Sequence, residues 1–132
     1  MKATMAPVKQ KILVVDDDAT MGLVLKGGLE MNGFDARYEA CSSDVIKVCL
    51  EFRPDLVLLD VDMPVKDGKQ VASELKLDPT LRGTPVIFLT SQVSNKEPEN
   101  RSAPDEMLLA KPIPIPRLVA TIRDVLQMQS TH

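Results

Sequence analysis

Four polar positions in this chain share one local context: each directly follows a short run of apolar residues. Val14-Val15 leads into Asp16-Asp17-Asp18, Leu58-Leu59 into Asp60-Val61-Asp62, Phe88-Leu89 into Thr90, and Leu109-Ala110 into Lys111. A lone acid in such a place is ordinarily a solvated turn residue or a helix cap. The ordered set of acids, hydroxyl and amine suggests more. If the first and third apolar runs are neighbouring strands, three carboxylates meet within a few ångströms, and bare they repel by several kcal/mol. A divalent cation is the simplest remedy. Oxygen ligands with no His or Cys among them select a hard ion, and Mg²⁺, held by one or two carboxylates and water, fits. Asp60 is then a candidate nucleophile for an aspartyl phosphate. A transferring phosphoryl group needs cationic and hydrogen-bonding support at its oxygens, for which Mg²⁺, the Lys111 ammonium and the Thr90 hydroxyl are candidates.

Bringing these groups to one edge requires parallel strands. Leu56-Val57-Leu58-Leu59 is too short for a helix and reads as a strand covered on both faces. Beyond it, Met63-Pro64 blocks further pairing and Asp67-Gly68 makes a turn. Lys11–Val15, Pro85–Leu89 and Met107–Ala110 read as buried strands, and the alternating Asp35–Ala40 as a more exposed one. Asp18 caps a first helix with Met21, Val24, Leu25 and Leu29 on one face, ended by Asn32-Gly33. A second helix starts at Ser42 or Ser43, with Val45, Ile46, Cys49 and Leu50 on one side, and closes at Arg53-Pro54. Gly68–Leu77 forms a third with Val71, Ala72 and Leu75 inward, and a last helix carries Pro116 in its first turn and Leu118, Val119, Ile122, Val125 and Leu126 on its inner face. Ser94 to Asp105 is so polar that a helix there is expected to be short or poorly held. Strand and helix alternate five times, which predicts an α/β fold: a doubly wound five-stranded parallel sheet with helices on both faces and right-handed crossovers. All carboxyl ends then lie on the edge where such sheets bind ligands.

The 132 residues make one domain, expected over 10–127 between loose tails at 1–9 and 128–132. The net charge of −3, with acids and bases mixed, argues against direct nucleic-acid binding. No apolar run approaches the ~20 residues of a membrane span, and the N-terminus lacks the apolar stretch of a secretion signal. A cytoplasmic location without membrane contact follows as the expectation. Cys41 and Cys49 do not form a disulfide framework. Cys49, among Val45, Ile46, Val48 and Leu50, reads as a small buried hydrophobe.

Taken together, Val14-Val15-Asp16-Asp17, Leu59-Asp60-Val61-Asp62-Met63-Pro64 with Asp67-Gly68, Leu89-Thr90-Ser91 and Lys111-Pro112 resemble the receiver domain of two-component response regulators, of the chemotaxis-regulator type. The resemblance runs from about Lys11 to Leu126. It implies a flavodoxin-like strand order of 2-1-3-4-5. It implies that Asp60 accepts a phosphoryl group from a phosphohistidine on a histidine kinase or histidine phosphotransfer protein. Asp17, Asp60 and the backbone carbonyl of Asp62 would hold Mg²⁺, with Asp16 acting largely through water. Lys111, in a cis bond to Pro112, would bind the phosphoryl oxygens, and Thr90 would swing toward them to switch a surface read by a further protein. Ala19, Met21 and Pro112 would surround the site where the kinase docks. The domain would assist its own phosphorylation and dephosphorylation without being a turnover enzyme.

Three features depart from the family pattern. Leu108 stands where members carry an aromatic residue or His as the rotating switch. The fourth helix is polar and proline-flanked. Asp62 adds a negative side chain two places after the acceptor, which is expected to perturb water access to the phosphoryl group. The single histidine, His132, makes an internal donor implausible, so the phosphoryl group must come from another molecule. Asp60-Val61-Asp62 also resembles the nucleophile motif of haloacid-dehalogenase-type phosphatases, but Pro64 stands where that motif carries Thr or Val, and its paired acids come late rather than early. A receiver fold kept only as a binding adaptor would have no need of all of Asp16, Asp17, Thr90 and Lys111. Both a stand-alone receiver and part of a longer regulator fit the chain.

Overall fold

The computed structural model describes residues 9–91 and 106–130. Five strands, β1 (Lys11–Val15), β2 (Asp35–Glu39), β3 (Leu56–Asp60), β4 (Val86–Thr90) and β5 (Glu106–Ala110), form one parallel sheet in the order β2-β1-β3-β4-β5. Among the described residues four helices accompany it: α1 (Ala19–Met31), α2 (Val45–Phe52), α3 (Gly68–Leu77) and α4 (Ile115–Ser130). The expected polar helix between β4 and β5 lies outside the described residues, as does most of the N-terminal tail. The chain steps from β1 out to the edge at β2, then returns to the other side of β1 as β3. β1 and β3 therefore run side by side with Val15 level with Leu59, and their following acids emerge together.

The period-two geometry of the strands divides the core in two. Ile12, Val14, Leu56, Leu58, Ile87 and Leu89 face α1 and α4, where Leu25, Leu29, Leu118 and Ile122 meet them. Leu13, Val15, Val57, Leu59, Val86 and Phe88 face α2 and α3, against Cys49, Phe52, Val71 and Leu75. Burial on both faces explains why these strands are continuous aliphatic runs rather than alternating ones. Burying each such side chain is worth about 1.5–3 kcal/mol, so the sheet is a stiff base for whatever its ends carry.

The cap expected at Asp18 is present, and the turn residue Asp67 proves to be a cap as well. The Asp18 carboxylate accepts from the N–H groups of Thr20 and Met21 at the start of α1, and Asp67 with Gln70 forms a capping box on α3. Several helix positions differ from expectation. Val24 and Leu50 are more than a third exposed. On α1 the inward stripe is Gly22, Leu25 and Leu29, and on α2 Phe52 takes the inward place assigned to Leu50. A 3-10 turn, Ser42–Asp44, precedes α2. α4 begins at Ile115, one residue before Pro116, and continues to Ser130, past the point where a frayed tail was expected.

Candidate functional site

Asp60 ends β3, and Asp16 follows β1. The strand pairing brings Asp16, Asp17 and Asp60 so close that one oxygen of each lies within 4.8 Å of the other two. Asp16 is fully buried, Asp60 nearly so at 3% exposure, and Asp17 is exposed. Gly68 matters to this arrangement. A Cβ there would meet the Asp60 carbonyl oxygen at 2.5 Å, so only glycine lets the start of α3 pass this close under the end of β3. The Gly68 N–H donates to the Val61 carbonyl at 3.1 Å and fastens that approach.

Lys111 follows β5 and reaches across the sheet edge, its bond to Pro112 cis. Its ammonium donates to Asp16 Oδ2 at 2.8 Å and lies 3.7 Å from Asp60 Oδ1. The other Asp16 oxygen accepts the Asp18 N–H at 2.9 Å. Asp60 Oδ1 accepts the Asp62 N–H at 3.1 Å. The Asp62 side chain is exposed, lies outside the carboxylate trio, and accepts from the Thr90 hydroxyl at 3.4 Å. A cleft of about 510 Å³ opens over Asp16, Asp17, Asp60, Ser91 and Lys111, with Met21 and Pro112 at its rim. Leu108, level with Phe88 in the sheet register, is about half exposed, with no polar tip to exchange partners.

The electrostatics are those of a site short of positive charge. Burial pushes the Asp60 carboxyl up to about 6, and the charge of Asp16 adds to this; the Asp62 N–H and Lys111 pull the other way without overcoming it. Lys111 is held above its ordinary value. Burial opposes its charge, but the bond to Asp16 and the fields of Asp16, Asp60 and Asp18 outweigh burial. Three carboxylates face one ammonium, an excess of two negative charges. That excess, with an all-oxygen donor set and a cleft above it, fits a hard divalent cation such as Mg²⁺.

Sequence reasoning singled out Asp16, Asp17, Asp60, Asp62, Thr90 and Lys111, and all six sit along this one edge. It did not identify Tyr38, whose hydroxyl donates to the Asp16 carbonyl oxygen at 2.7 Å. The available signal was weak: Tyr38 shares the inward parity of Ala36 on an alternating strand, near its carboxyl end. Nor was it foreseen that Lys111 is closer to Asp16 than to Asp60.

A family model described as response regulator receiver domain matches residues 12–123. Among characterised relatives, the polar-differentiation response regulator DivK of Brucella anthropi is 29% identical over 118 residues, spanning 89% of this chain and 96% of the relative. The DivK of Brucella ovis is 28% identical over the same length. Among solved structures, the N-terminal domain of a response regulator receiver protein from Methanoculleus marisnigri is 31% identical with a TM-score of 0.70, over 88% of this chain and 95% of that one. The chemotaxis protein CheY4 of Vibrio cholerae has the same fold, with a TM-score of 0.80 at 24% identity over 89% of this chain and 99% of that one.

Proposed function

Because the chain belongs to the response regulator receiver domain family of two-component signalling, we propose that it is a phospho-accepting switch whose acceptor is Asp60. The observation that carries this reading is the buried Asp60 carboxylate, raised to about 6, at the floor of an open cleft and 3.7 Å from Lys111. A carboxylate oxygen of Asp60 attacks phosphorus in a phosphohistidine of a partner kinase or phosphotransfer protein. A P–O bond forms as the P–N bond breaks, and the imidazole leaves with the bonding pair. Asp17, Asp60 and the Asp62 carbonyl would hold Mg²⁺, with Asp16 acting largely through water; the ion would supply charge neutralisation at the phosphoryl oxygens. Lys111, tethered by Asp16, would support the same oxygens with its ammonium, and its raised basicity keeps it charged at neutral pH.

Thr90 then exchanges its bond to Asp62 for one to the phosphoryl group, and this rearrangement alters the surface offered to a downstream protein. The chain works once per phosphorylation, not as a turnover enzyme on outside substrates, and it works in the cytoplasm. Among the described residues no helix is long and apolar enough to cross a membrane. The test is intact mass after incubation with acetyl phosphate and Mg²⁺. The wild type should gain one phosphoryl group and Asp60→Asn none. No gain in either, or an equal gain in both, would sink the reading. Sustained release of phosphate from generic phosphoesters would favour the phosphatase rival instead.

A further inference from the structure

We propose that Tyr38 is a positioning residue for the cation-binding turn Asp16-Asp17, and that Gly22 is the glycine that makes room for it. The proposal rests on the reading of the acidic cluster as a Mg²⁺ site. The turn is held from several directions. The Asp16 N–H donates to the Glu39 carbonyl at 3.3 Å, its Oδ1 accepts from the Asp18 N–H, and its Oδ2 from Lys111. Its carbonyl oxygen takes the Tyr38 hydroxyl at 2.7 Å, a side-chain bond reaching back from β2. That bond sets the orientation of the peptide plane linking Asp16 to Asp17. This plane governs where the exposed Asp17 carboxylate points relative to the buried pair.

The phenol arrives there through a tight fit. A Cβ at Gly22 would lie 2.1 Å from Tyr38 Cε1 and 2.5 Å from Cδ1, so the ring lies flush on the first turns of α1 where any other residue would displace it. Gly22 is buried at the end of the first turn of α1, within the helix, where glycine costs up to about 1 kcal/mol relative to alanine. The fit to Tyr38 is the physical reason for accepting that cost. Groups that orient a metal ligand without touching the metal commonly change affinity by about 10–100-fold when removed. Tyr38 is partly solvent-exposed, so water can take over some of its role, and about threefold to tenfold is expected.

Mg²⁺ affinity measured by isothermal titration calorimetry on the full chain tests the proposal, alongside metal-free thermal unfolding by circular dichroism. Tyr38→Phe should raise the Mg²⁺ Kd about threefold to tenfold while lowering the metal-free unfolding midpoint by no more than a few degrees, the cost of one hydrogen bond, whereas a purely structural role would lower the midpoint and leave the Kd of the folded protein unchanged. Gly22→Ala, although a better helix former, should weaken Mg²⁺ binding in the same direction by pushing the ring away. The double variant should bind no more weakly than the worse single one, because both break the same contact. Wild type and Tyr38→Phe binding Mg²⁺ equally would overturn the proposal, as would fully additive losses. Failure of the wild type to bind Mg²⁺ would instead bring down the phospho-acceptor reading, and this inference with it.

Discussion

Asp60→Asn removes a negative charge that the metal-free fold holds at a cost, and the size of that cost follows from the site. The folded-state carboxyl lies at about 6 against an ordinary 3.8, because burial and Asp16 disfavour ionisation more than Lys111 and the Asp62 N–H favour it. For an acid raised in this way, the associated stability is fully present below the unfolded value and is lost as pH rises through about 6. A difference of about two pK units corresponds to about 3 kcal/mol at pH 7.5. Asparagine is nearly isosteric and still accepts the Asp62 N–H, so little is lost in exchange. Asp60→Asn should therefore stabilise the metal-free protein by about 2–3 kcal/mol at pH 7.5. In urea this corresponds to a midpoint about 1 M higher, given slopes of about 1–3 kcal/mol per molar. With no Trp and one Tyr in the chain, far-UV circular dichroism is the suitable probe. At pH 4 both side chains are largely neutral in the fold and the gap should close. Saturating Mg²⁺ at pH 7.5 should also narrow it, by stabilising the wild type through binding. Equal midpoints at pH 7.5, or a gap undiminished at pH 4, would refute the electrostatic account.

Other consequences are local and separately measurable. Asp62→Met removes the carboxylate that accepts the Thr90 hydroxyl and that can hold water beside the acceptor. It should lengthen the half-life of the aspartyl phosphate by at least about twofold, roughly 0.4 kcal/mol in barrier, and an unchanged half-life would reject the role given to Asp62. Val65 is β-branched, 92% exposed, and held at φ 70°, where such residues are strained. Val65→Gly should stabilise the protein by about 1 kcal/mol in urea unfolding, and a loss of stability would contradict this. Burial raises the Cys49 thiol to about 12, whereas Cys41 is exposed. Native alkylation with iodoacetamide followed by peptide mass mapping should find Cys41 modified and Cys49 untouched.

Much of the site was legible because it follows from strand chemistry. A strand buried on both faces must be a run of aliphatic residues, so the first polar residue after the run marks its end. In a parallel sheet those ends share an edge. Asp16, Asp60, Thr90 and Lys111 were found in this way, and Asp18 by its capping role, whereas Asp67 was legible only as a turn residue and its capping box with Gln70 emerged in the fold. Helix faces were read less well. Spacing alone admitted Val24 and Leu50 to the core, but the sheet beneath receives Gly22, Leu25 and Leu29 from α1 and Phe52 from α2. The placement of Gly22 depends on an aromatic ring arriving from another strand, which helical periodicity cannot register.

By itself the sequence determined the strands, the caps and the identity of the groups at the sheet edge, because each depends on neighbours a few residues away. Which of those groups touch was decided only in three dimensions. β1 lies between β2 and β3, so Asp16 has Tyr38 at its carbonyl and Asp60 across the pair, while Lys111 crosses from the far strand to bond Asp16 at 2.8 Å and stand 3.7 Å from Asp60. These are contacts between residues as many as 95 positions apart. Their distances are set by strand order, register and the packing of two helical layers, none of which is a local property of the chain.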